Sequence, residues 1–289
     1  MMQKVFLLGV GAQKCGTSWL HDVLCQSEQA DMGFSKEYHI HDALTLPECA
    51  RFGGPTLKRL QSLTAKGTPP QPDSKLFLRA QFLTNPTAYY EYFQERLDDP
   101  NVMLTGDFTP SYSGLSVQTL NDIKTQMRAH GIRTKVVFLM RDPVERAWSA
   151  LRMSRRQTMK KNPNYTFEQN EFDQLRANYN KPSFEMRANY SATLSLFEQV
   201  FEPEDIFVEF YERLISEDVI DHLCGFTGIA PFDADLSTQI NVSPKTSDIP
   251  QELAREMARH YGDIYRDLAT RFGADTIKEL WWSTQFVLS

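Results

Sequence analysis

The stretch VFLLGVGAQKCGTSWLHDVL, residues 5–24, indicates the fold class more directly than the segments that follow it. It begins with an apolar run, which predicts a short buried strand over residues 4–10. Apolar side chains then recur at helical spacing, which predicts a helix over residues 17–26. Gly11 and Gly16 lie between the two elements. The stretch therefore favours a strand, a glycine loop and a helix over a plain strand-to-helix turn.

The glycine loop looks like a phosphate-binding loop whose lysine has moved. In the pattern G-x-x-x-x-G-K-[ST], Gly11, Gly16 and Ser18 have the required spacing, but Thr17 stands where the lysine belongs. A lysine occurs earlier in the loop, at Lys14. Backbone N–H groups at a helix N-terminus bind anions, and the two hydroxyls can add donors. The loop therefore predicts an anion site with an unusual lysine position.

Further apolar runs extend this arrangement along the chain. Residues 135–140 and 205–210 predict two more strands. Strands that alternate with helices indicate a parallel sheet. The predicted fold class is therefore α/β, a P-loop-like three-layer α/β/α arrangement around a central parallel sheet.

Two other segments complete the predicted organisation. Pro250 begins a helix whose apolar spacing continues to Gly273. Residues 52–75 are rich in glycine, proline and lysine and predict an irregular insertion. We interpret residues 1–289 as a single domain that carries this insertion.

A second anion site is predicted in MRDPVERAWS, residues 140–149. Ligands of parallel sheets bind at the carboxyl ends of the strands, where the Arg141 guanidinium can grip a phosphate with two hydrogen bonds. A structural salt bridge is the alternative role for Arg141. Ser149 lies about two turns into the next helix, and Asp142, before Pro143, suits an N-cap better than a metal ligand. Two phosphate sites without a metal aspartate favour a nucleotide with phosphates at its 5′ and 3′ ends over ATP with Mg²⁺.

Four segments together resemble the sulfotransferases that use 3′-phosphoadenosine 5′-phosphosulfate (PAPS), in particular bacterial-type members. GAQKCGTSWL (11–20) is similar to their 5′-phosphosulfate loop, and FLMRDPVERAWS (138–149) is similar to their 3′-phosphate motif. KEYHIHD (36–42) and GDFTPSYS (106–113) resemble segments of glycan-type members such as the heparan sulfate N- and 3-O-sulfotransferases. The resemblance implies that the cofactor is held by Gly11, Ala12, Gln13, Lys14, Cys15, Gly16, Thr17, Ser18, Trp19, Arg141, Ser149 and Lys245.

The resemblance also implies catalytic roles. Lys14 would stabilise the charge that develops on the leaving phosphate, with 3′-phosphoadenosine 5′-phosphate (PAP) as product and no metal required. Glu37 would take the proton from the acceptor, with His39 as the second choice of base. Glycan-type members often carry a lysine at the position of Phe108, which supplies no charge. Asp107 is a further alternative base, or a partner that orients Lys14.

The implied reaction is transfer of a sulfuryl group to a hydroxyl or amine of a small-molecule or glycan acceptor. A carbohydrate hydroxyl comes first by resemblance, followed by a small alcohol, phenol or amine. Two other functions stay open. An ATP-dependent kinase with a degenerate loop predicts Mg²⁺ dependence, and a non-catalytic nucleotide-binding protein predicts binding without turnover.

Composition narrows the possible partners. A net charge of −6 argues against a nucleic-acid surface. The sequence has no apolar run of the roughly 18 residues that a membrane span needs. We therefore expect a cytoplasmic protein with reduced cysteines. The H-x-H pattern at His39 and His41 has no further ligand cluster, so no metal site is predicted.

Two local features leave alternatives open. Arg152, Arg156 and Lys160 share one face of a predicted helix, which is either a solvated face or a surface that steers an anionic ligand. Cys15 lies next to the predicted helix N-terminus, which favours its thiolate and predicts a reactive thiol.

Overall fold

Four parallel strands form the centre of the protein in a computed structural model that describes residues 3–238 and 247–288. Their bounds are β1 Val5–Gly9, β2 Leu104–Asp107, β3 Arg133–Met140 and β4 Ile206–Phe210. The strands lie in the order β2–β1–β3–β4, and each neighbouring pair is parallel. Because all four point the same way, their carboxyl ends meet at one edge of the sheet.

Helices flank this sheet, which confirms the predicted α/β/α arrangement; α5, for example, packs on β2 and α6 on β3. The helices are α1 Thr17–Leu24, α2 His41–Thr45, α3 Gly54–Ala65, α4 Lys75–Thr84, α5 Thr87–Leu97, α6 Val117–Ala129, α7 Pro143–Lys161, α8 Glu171–Arg176, α9 Pro182–Glu185, α10 Tyr190–Val200, α11 Glu217–Thr227, α12 Gln251–His260, α13 Gly262–Phe272 and α14 Ala274–Leu280. Short 3-10 helices occur at Pro47–Phe52, Pro110–Gly114, Pro203–Asp205 and Trp282–Phe286.

The central strands are those with the strongest apolar signal. Every residue of β1 is buried, as are the last five residues of β3, which is typical of parallel strands covered on both faces. The predicted strands over 4–10, 135–140 and 205–210 are all confirmed.

Strand β2 was not predicted, because its sequence LTGD lacks the apolar and β-branched run of a typical strand. Its residues serve close packing instead. A Cβ at Gly106 would collide with the carbonyl oxygen of Leu7 on β1, so the two strands approach too closely there for any other residue.

Two sequence predictions need correction. The supposed irregular insertion at 52–75 contains helix α3, which buries Thr56, and its residues 53 and 66–74 lack regular structure. The helix predicted from Pro250 to Gly273 is two helices, α12 and α13, with a break at Tyr261. The phenol of Tyr261 is buried and donates a hydrogen bond to the Tyr179 carbonyl oxygen at 2.6 Å, which ties the break to the core.

None of the helices in the described part of the chain combines the length and the apolar character that a bilayer crossing requires.

Candidate active site

The glycine loop after β1 is held by backbone bonds to the neighbouring strand. The Ala12 N–H donates to the Leu139 carbonyl at 2.7 Å, and the Leu139 N–H donates to the Gly11 carbonyl at 2.9 Å. Gly16 then precedes α1 with a φ of 94°, and a Cβ there would collide with Leu214. No side chain forms a cap hydrogen bond at the start of α1, and a helix N-terminus of this kind suits an anion. Thr17 and Ser18 lie in this first turn.

Lys14 lies in the middle of the loop in an uncommon backbone conformation. Its φ is 73°, a left-handed value that costs a residue with a Cβ about 1–2 kcal/mol. Burial, followed by the charges of Arg156, Arg141 and Arg152 in that order of importance, lowers the pKa of Lys14 to about 8. The Lys14 amine therefore lies in a concentrated positive field.

Arg141 lies at the carboxyl end of β3, beside the glycine loop. Its guanidinium carbon is 4.3 Å from the centre of the Tyr211 ring, and Nη2 is 3.4 Å from Oε2 of Glu145. The Tyr190 hydroxyl donates to the Arg141 carbonyl at 2.9 Å and lies 3.9 Å from Sγ of Cys15. Tyr190 thus joins the two predicted anion sites. Asp142 accepts a hydrogen bond from the Val144 N–H at 2.9 Å, which confirms its N-cap role.

Two of the three basic residues predicted to share one face of α7 lie near the glycine loop. Arg152 and Arg156 both lie close enough to Lys14 to lower its pKa, whereas Lys160 is exposed. Burial and then the charge of Arg141 lower the pKa of Arg152. Ser149 is buried one turn before Arg152. For Arg152 and Arg156, the structure favours the steering surface over the solvated face.

Cys15 and Trp19 contribute packing from the loop and from α1. Cys15 is fully buried and Trp19 is 5% exposed, so their side chains belong to the core. Burial raises the pKa of Cys15 to about 12, despite the opposing charges of Arg146 and Arg141. The prediction of a reactive thiol is therefore wrong, because desolvation outweighs the helix N-terminus.

Glu37 and His39 lie together in the segment before α2. The His39 Nε2 is 3.2 Å from Oε2 of Glu37, and Nδ1 is 2.6 Å from Oδ2 of buried Asp42. Burial opposes protonation of His39, but its bonds to Asp42 and Glu37 prevail and raise its pKa to about 9. Burial also opposes ionisation of Glu37, but the bond from His39 and the charge of Lys36 lower its pKa to about 2. At neutral pH His39 is therefore an imidazolium beside the Glu37 carboxylate.

Lys36 connects this segment to the glycine loop, a role that sequence reasoning missed. Its Nζ donates to Oε1 of Glu37 at 2.8 Å and to Oγ1 of Thr17 at 3.2 Å. Its carbonyl accepts the N–H of Phe108 at 3.0 Å. Phe108 itself is fully buried, with its ring 5.7 Å from that of His21. The backbone of Lys36 is thus bonded to that of Phe108, while its ammonium contacts Thr17 and Glu37.

Asp107, the last residue of β2, is surrounded by hydroxyl donors. Its carboxylate accepts hydrogen bonds from the hydroxyls of Thr109, Tyr112 and Tyr89 at 2.6, 2.8 and 2.9 Å. It is fully buried, and burial raises its pKa to about 6. These partners occupy Asp107, so it neither orients Lys14 nor reaches an acceptor.

Gln13, another residue predicted to hold the cofactor, is half-buried in the glycine loop. Lys245 falls outside the described residues. Within residues 3–238 and 247–288, no group of His, Cys, Asp and Glu side chains is arranged to hold a metal ion. His41 packs edge-on against Tyr89 at 4.9 Å, away from His39, which stacks on Phe52.

Comparisons with known proteins identify the family. The sulfotransferase domain family matches residues 3–243. A solved sulfotransferase from Alicyclobacillus acidocaldarius is similar in fold, with a TM-score of 0.55 and 17% identity over 93% of this chain and 96% of that chain. A sulfotransferase domain from the curacin biosynthetic pathway aligns at 16% identity over 90% of this chain and 97% of that chain, with a TM-score of 0.44. No curated protein matches the chain. Because the family match covers most of its residues, the chain belongs to the sulfotransferase family.

Proposed function

We propose that this protein transfers a sulfuryl group from PAPS to a hydroxyl or amine of an acceptor. The observation that carries the proposal is the meeting of two anion sites, at Lys14 and Arg141, joined through Tyr190. One lies after β1 and the other after β3, which are adjacent strands. This spacing suits a nucleotide that carries phosphate at both its 5′ and 3′ ends.

The positive groups on the donor side match the negative charges of such a nucleotide. The uncapped N-terminus of α1 and the hydroxyls of Thr17 and Ser18 suit the 5′-phosphosulfate, while Arg141 after β3 and Ser149 in α7 suit the 3′-phosphate. Arg152 and Arg156 add positive charge near Lys14. When bound, PAPS supplies the sulfuryl group. We expect Lys14 to stabilise negative charge on the phosphate oxygen that leaves.

The acceptor side has one group that can take a proton. Both His39 nitrogens face carboxylates, so the imidazole is already protonated at neutral pH and cannot act as the base. Glu37 is ionised and 40% exposed. A weak base suffices there, because a hydroxyl becomes far more acidic as its oxygen bonds to sulfur. We therefore assign Glu37 as the base, with His39 and Asp42 as its positioning residues.

Lys36 replaces the charge that Phe108 does not provide. Its Nζ lies between Thr17 of the donor loop and Glu37 of the acceptor side. A sulfuryl group in transit between these two sides would pass a cation at this point. The glycan-type resemblance makes a carbohydrate hydroxyl the first acceptor to test.

Isothermal titration tests the donor half. We expect PAP to bind without metal, ATP with Mg²⁺ to bind more weakly, and Arg141→Gln to weaken PAP binding by about tenfold or more, since it removes a charge-assisted phosphate contact. Arg128→Gln, an exposed arginine at the end of α6, is the matched control and should bind PAP like the wild type.

Tighter binding of ATP with Mg²⁺ than of PAP would overturn the proposal in favour of a kinase. PAP binding without sulfation of any acceptor would favour a non-catalytic nucleotide-binding protein.

A further inference from the structure

The last 3-10 helix, Trp282–Phe286, reaches the proposed 3′-phosphate site through one carboxylate. The Trp282 indole N–H donates to Oε1 of Glu145 at 3.3 Å, and Oε2 of the same carboxylate lies 3.4 Å from Nη2 of Arg141. A tryptophan near the C-terminus is therefore separated from the predicted phosphate-binding arginine by a single side chain.

Other contacts hold Trp282 in this position. Its ring meets that of Phe286 edge-on with centres 5.9 Å apart, and the Arg255 guanidinium carbon lies 5.4 Å from the centre of the Phe286 ring. The next residue, Ser283, donates its backbone N–H to Oδ2 of Asp142 at 3.1 Å. These contacts fix the 3-10 helix against the start of α7, yet the Trp282 side chain stays 41% exposed.

The contact between Arg141 and Glu145 is looser than this pair of groups can make. A planar fork of two hydrogen bonds between an arginine and a carboxylate has distances of roughly 2.8 Å. The contact from Nη2 of Arg141 measures 3.4 Å. The Nε atom of Arg141 is buried and has no hydrogen-bond partner within the part of the chain that the structure describes. Part of the Arg141 guanidinium is therefore left for a ligand.

Glu145 is a natural competitor for that part of the guanidinium. It lies in the first turn of α7, four residues after Arg141, and both side chains are largely buried. Little water then screens the attraction between the two charges. A full fork would occupy Nε of Arg141 and neutralise the charge that a phosphate needs. The position of the Glu145 carboxylate therefore affects how strongly Arg141 can bind an anion.

Resting on the proposed function, we propose that Trp282 is a positioning residue for recognition of the 3′-phosphate. Its indole N–H holds Oε1 of Glu145 and keeps this carboxylate from closing a fork with Arg141. Nε of Arg141 then stays available to a phosphate oxygen. The contact gives a polar role to an indole that is too exposed to serve the core.

Isothermal titration with two nucleotides, without metal, tests this inference. PAP carries the 3′-phosphate and adenosine 5′-phosphate lacks it, so only PAP should depend on the Arg141 contact. Trp282→Phe keeps an aromatic ring beside Phe286 but removes the N–H. We expect this variant to bind PAP about fivefold more weakly, because Glu145 then competes for Arg141. Its affinity for adenosine 5′-phosphate and its melting temperature should stay near those of the wild type.

A second substitution separates positioning from mere support of the fold. Adding Glu145→Gln to Trp282→Phe removes the competing charge and should restore PAP affinity to about that of the wild type. Glu145→Gln alone should bind PAP at least as tightly as the wild type, and it keeps the test usable if Trp282→Phe does not fold. Tyr165→Phe, which removes a hydroxyl from another exposed aromatic side chain, is the matched control and should leave both nucleotide affinities unchanged.

Three results would overturn the inference: wild-type PAP affinity in Trp282→Phe, an equal loss of affinity for both nucleotides, or weaker PAP binding in Glu145→Gln alone. Failure of the wild type to bind PAP would instead remove the proposed function.

Discussion

Among single residues, Lys14 is the one whose ionisation should make nucleotide binding depend on pH. Its ammonium is the charged form that an anionic nucleotide needs, and its pKa is lowered to about 8. The charged form is therefore complete well below pH 8 and is lost as the pH rises through that value. The pKa is lowered by burial together with three neighbouring arginines. The positive field that attracts the nucleotide therefore also makes the Lys14 ammonium easier to deprotonate.

Titration of PAP against pH should reveal this ionisation. We expect the dissociation constant of the wild type to rise about tenfold between about pH 7 and about pH 9, because only the protonated lysine contributes fully. Lys14→Arg should bind with little change over the same range, since a guanidinium stays charged. An equal rise in both proteins would assign the ionisation to another group and contradict this role for Lys14.

At the scale of elements, the C-terminal segment braces the Arg141 site. The Tyr265 hydroxyl and the Ser283 hydroxyl donate to the Asp142 carboxylate at 2.8 and 2.6 Å. The Trp281 indole donates at 3.1 Å to Glu212, which accepts the Asp142 N–H at 3.2 Å. Asp142 caps α7 directly after Arg141, so a distant part of the chain sets the start of the helix next to the proposed 3′-phosphate site.

Ser283→Ala should therefore lower both stability and nucleotide affinity. Loss of a buried hydrogen bond to a carboxylate is expected to reduce the free energy of unfolding by about 2 kcal/mol, measured by urea denaturation. PAP binding should weaken several-fold in the same variant. Ser237→Ala removes a comparable serine–aspartate bond to Asp235 at the exposed surface and should change neither quantity. Normal PAP affinity in a destabilised Ser283→Ala would show that the brace serves folding alone.

Some of these elements and contacts could be predicted from the sequence, and others could not. β1 and β3 were predictable because buried parallel strands are uniformly apolar, and both anion loops follow them directly. Strand β2 was not predictable, because Gly106 is needed there for close packing and Asp107 for buried hydrogen bonds. Lys36 and Tyr190 act on residues that are near only after the strands have been ordered, and strand order is not a local property. The assignment of residues 1–289 to one domain stays a prediction.

At the scale of the whole molecule, charge is sorted by location. The chain carries a net charge of −6, yet Lys14, Arg141, Arg152 and Arg156 gather at the carboxyl edge of the sheet. An acidic exterior repels anionic nucleotides, and a basic cleft focuses them. The balance depends on ionic strength, since added salt shortens the range of both effects.

The affinity for PAP should therefore fall with salt. We expect the dissociation constant to rise about tenfold between about 0.05 and about 0.5 M NaCl, measured by titration calorimetry. Arg156→Gln should bind more weakly at low salt and depend less steeply on salt, whereas Arg59→Gln should match the wild type. A salt dependence unchanged by Arg156→Gln would remove Arg156 from the cleft.

The left-handed backbone at Lys14 has a consequence for how this enzyme can change over generations. A φ of 73° suits glycine, which has no Cβ to strain, better than any other residue. Glycine at position 14 would relax the loop but would remove the ammonium group. Under the proposed role of Lys14, the stability of the loop and sulfuryl transfer therefore favour different residues at this position.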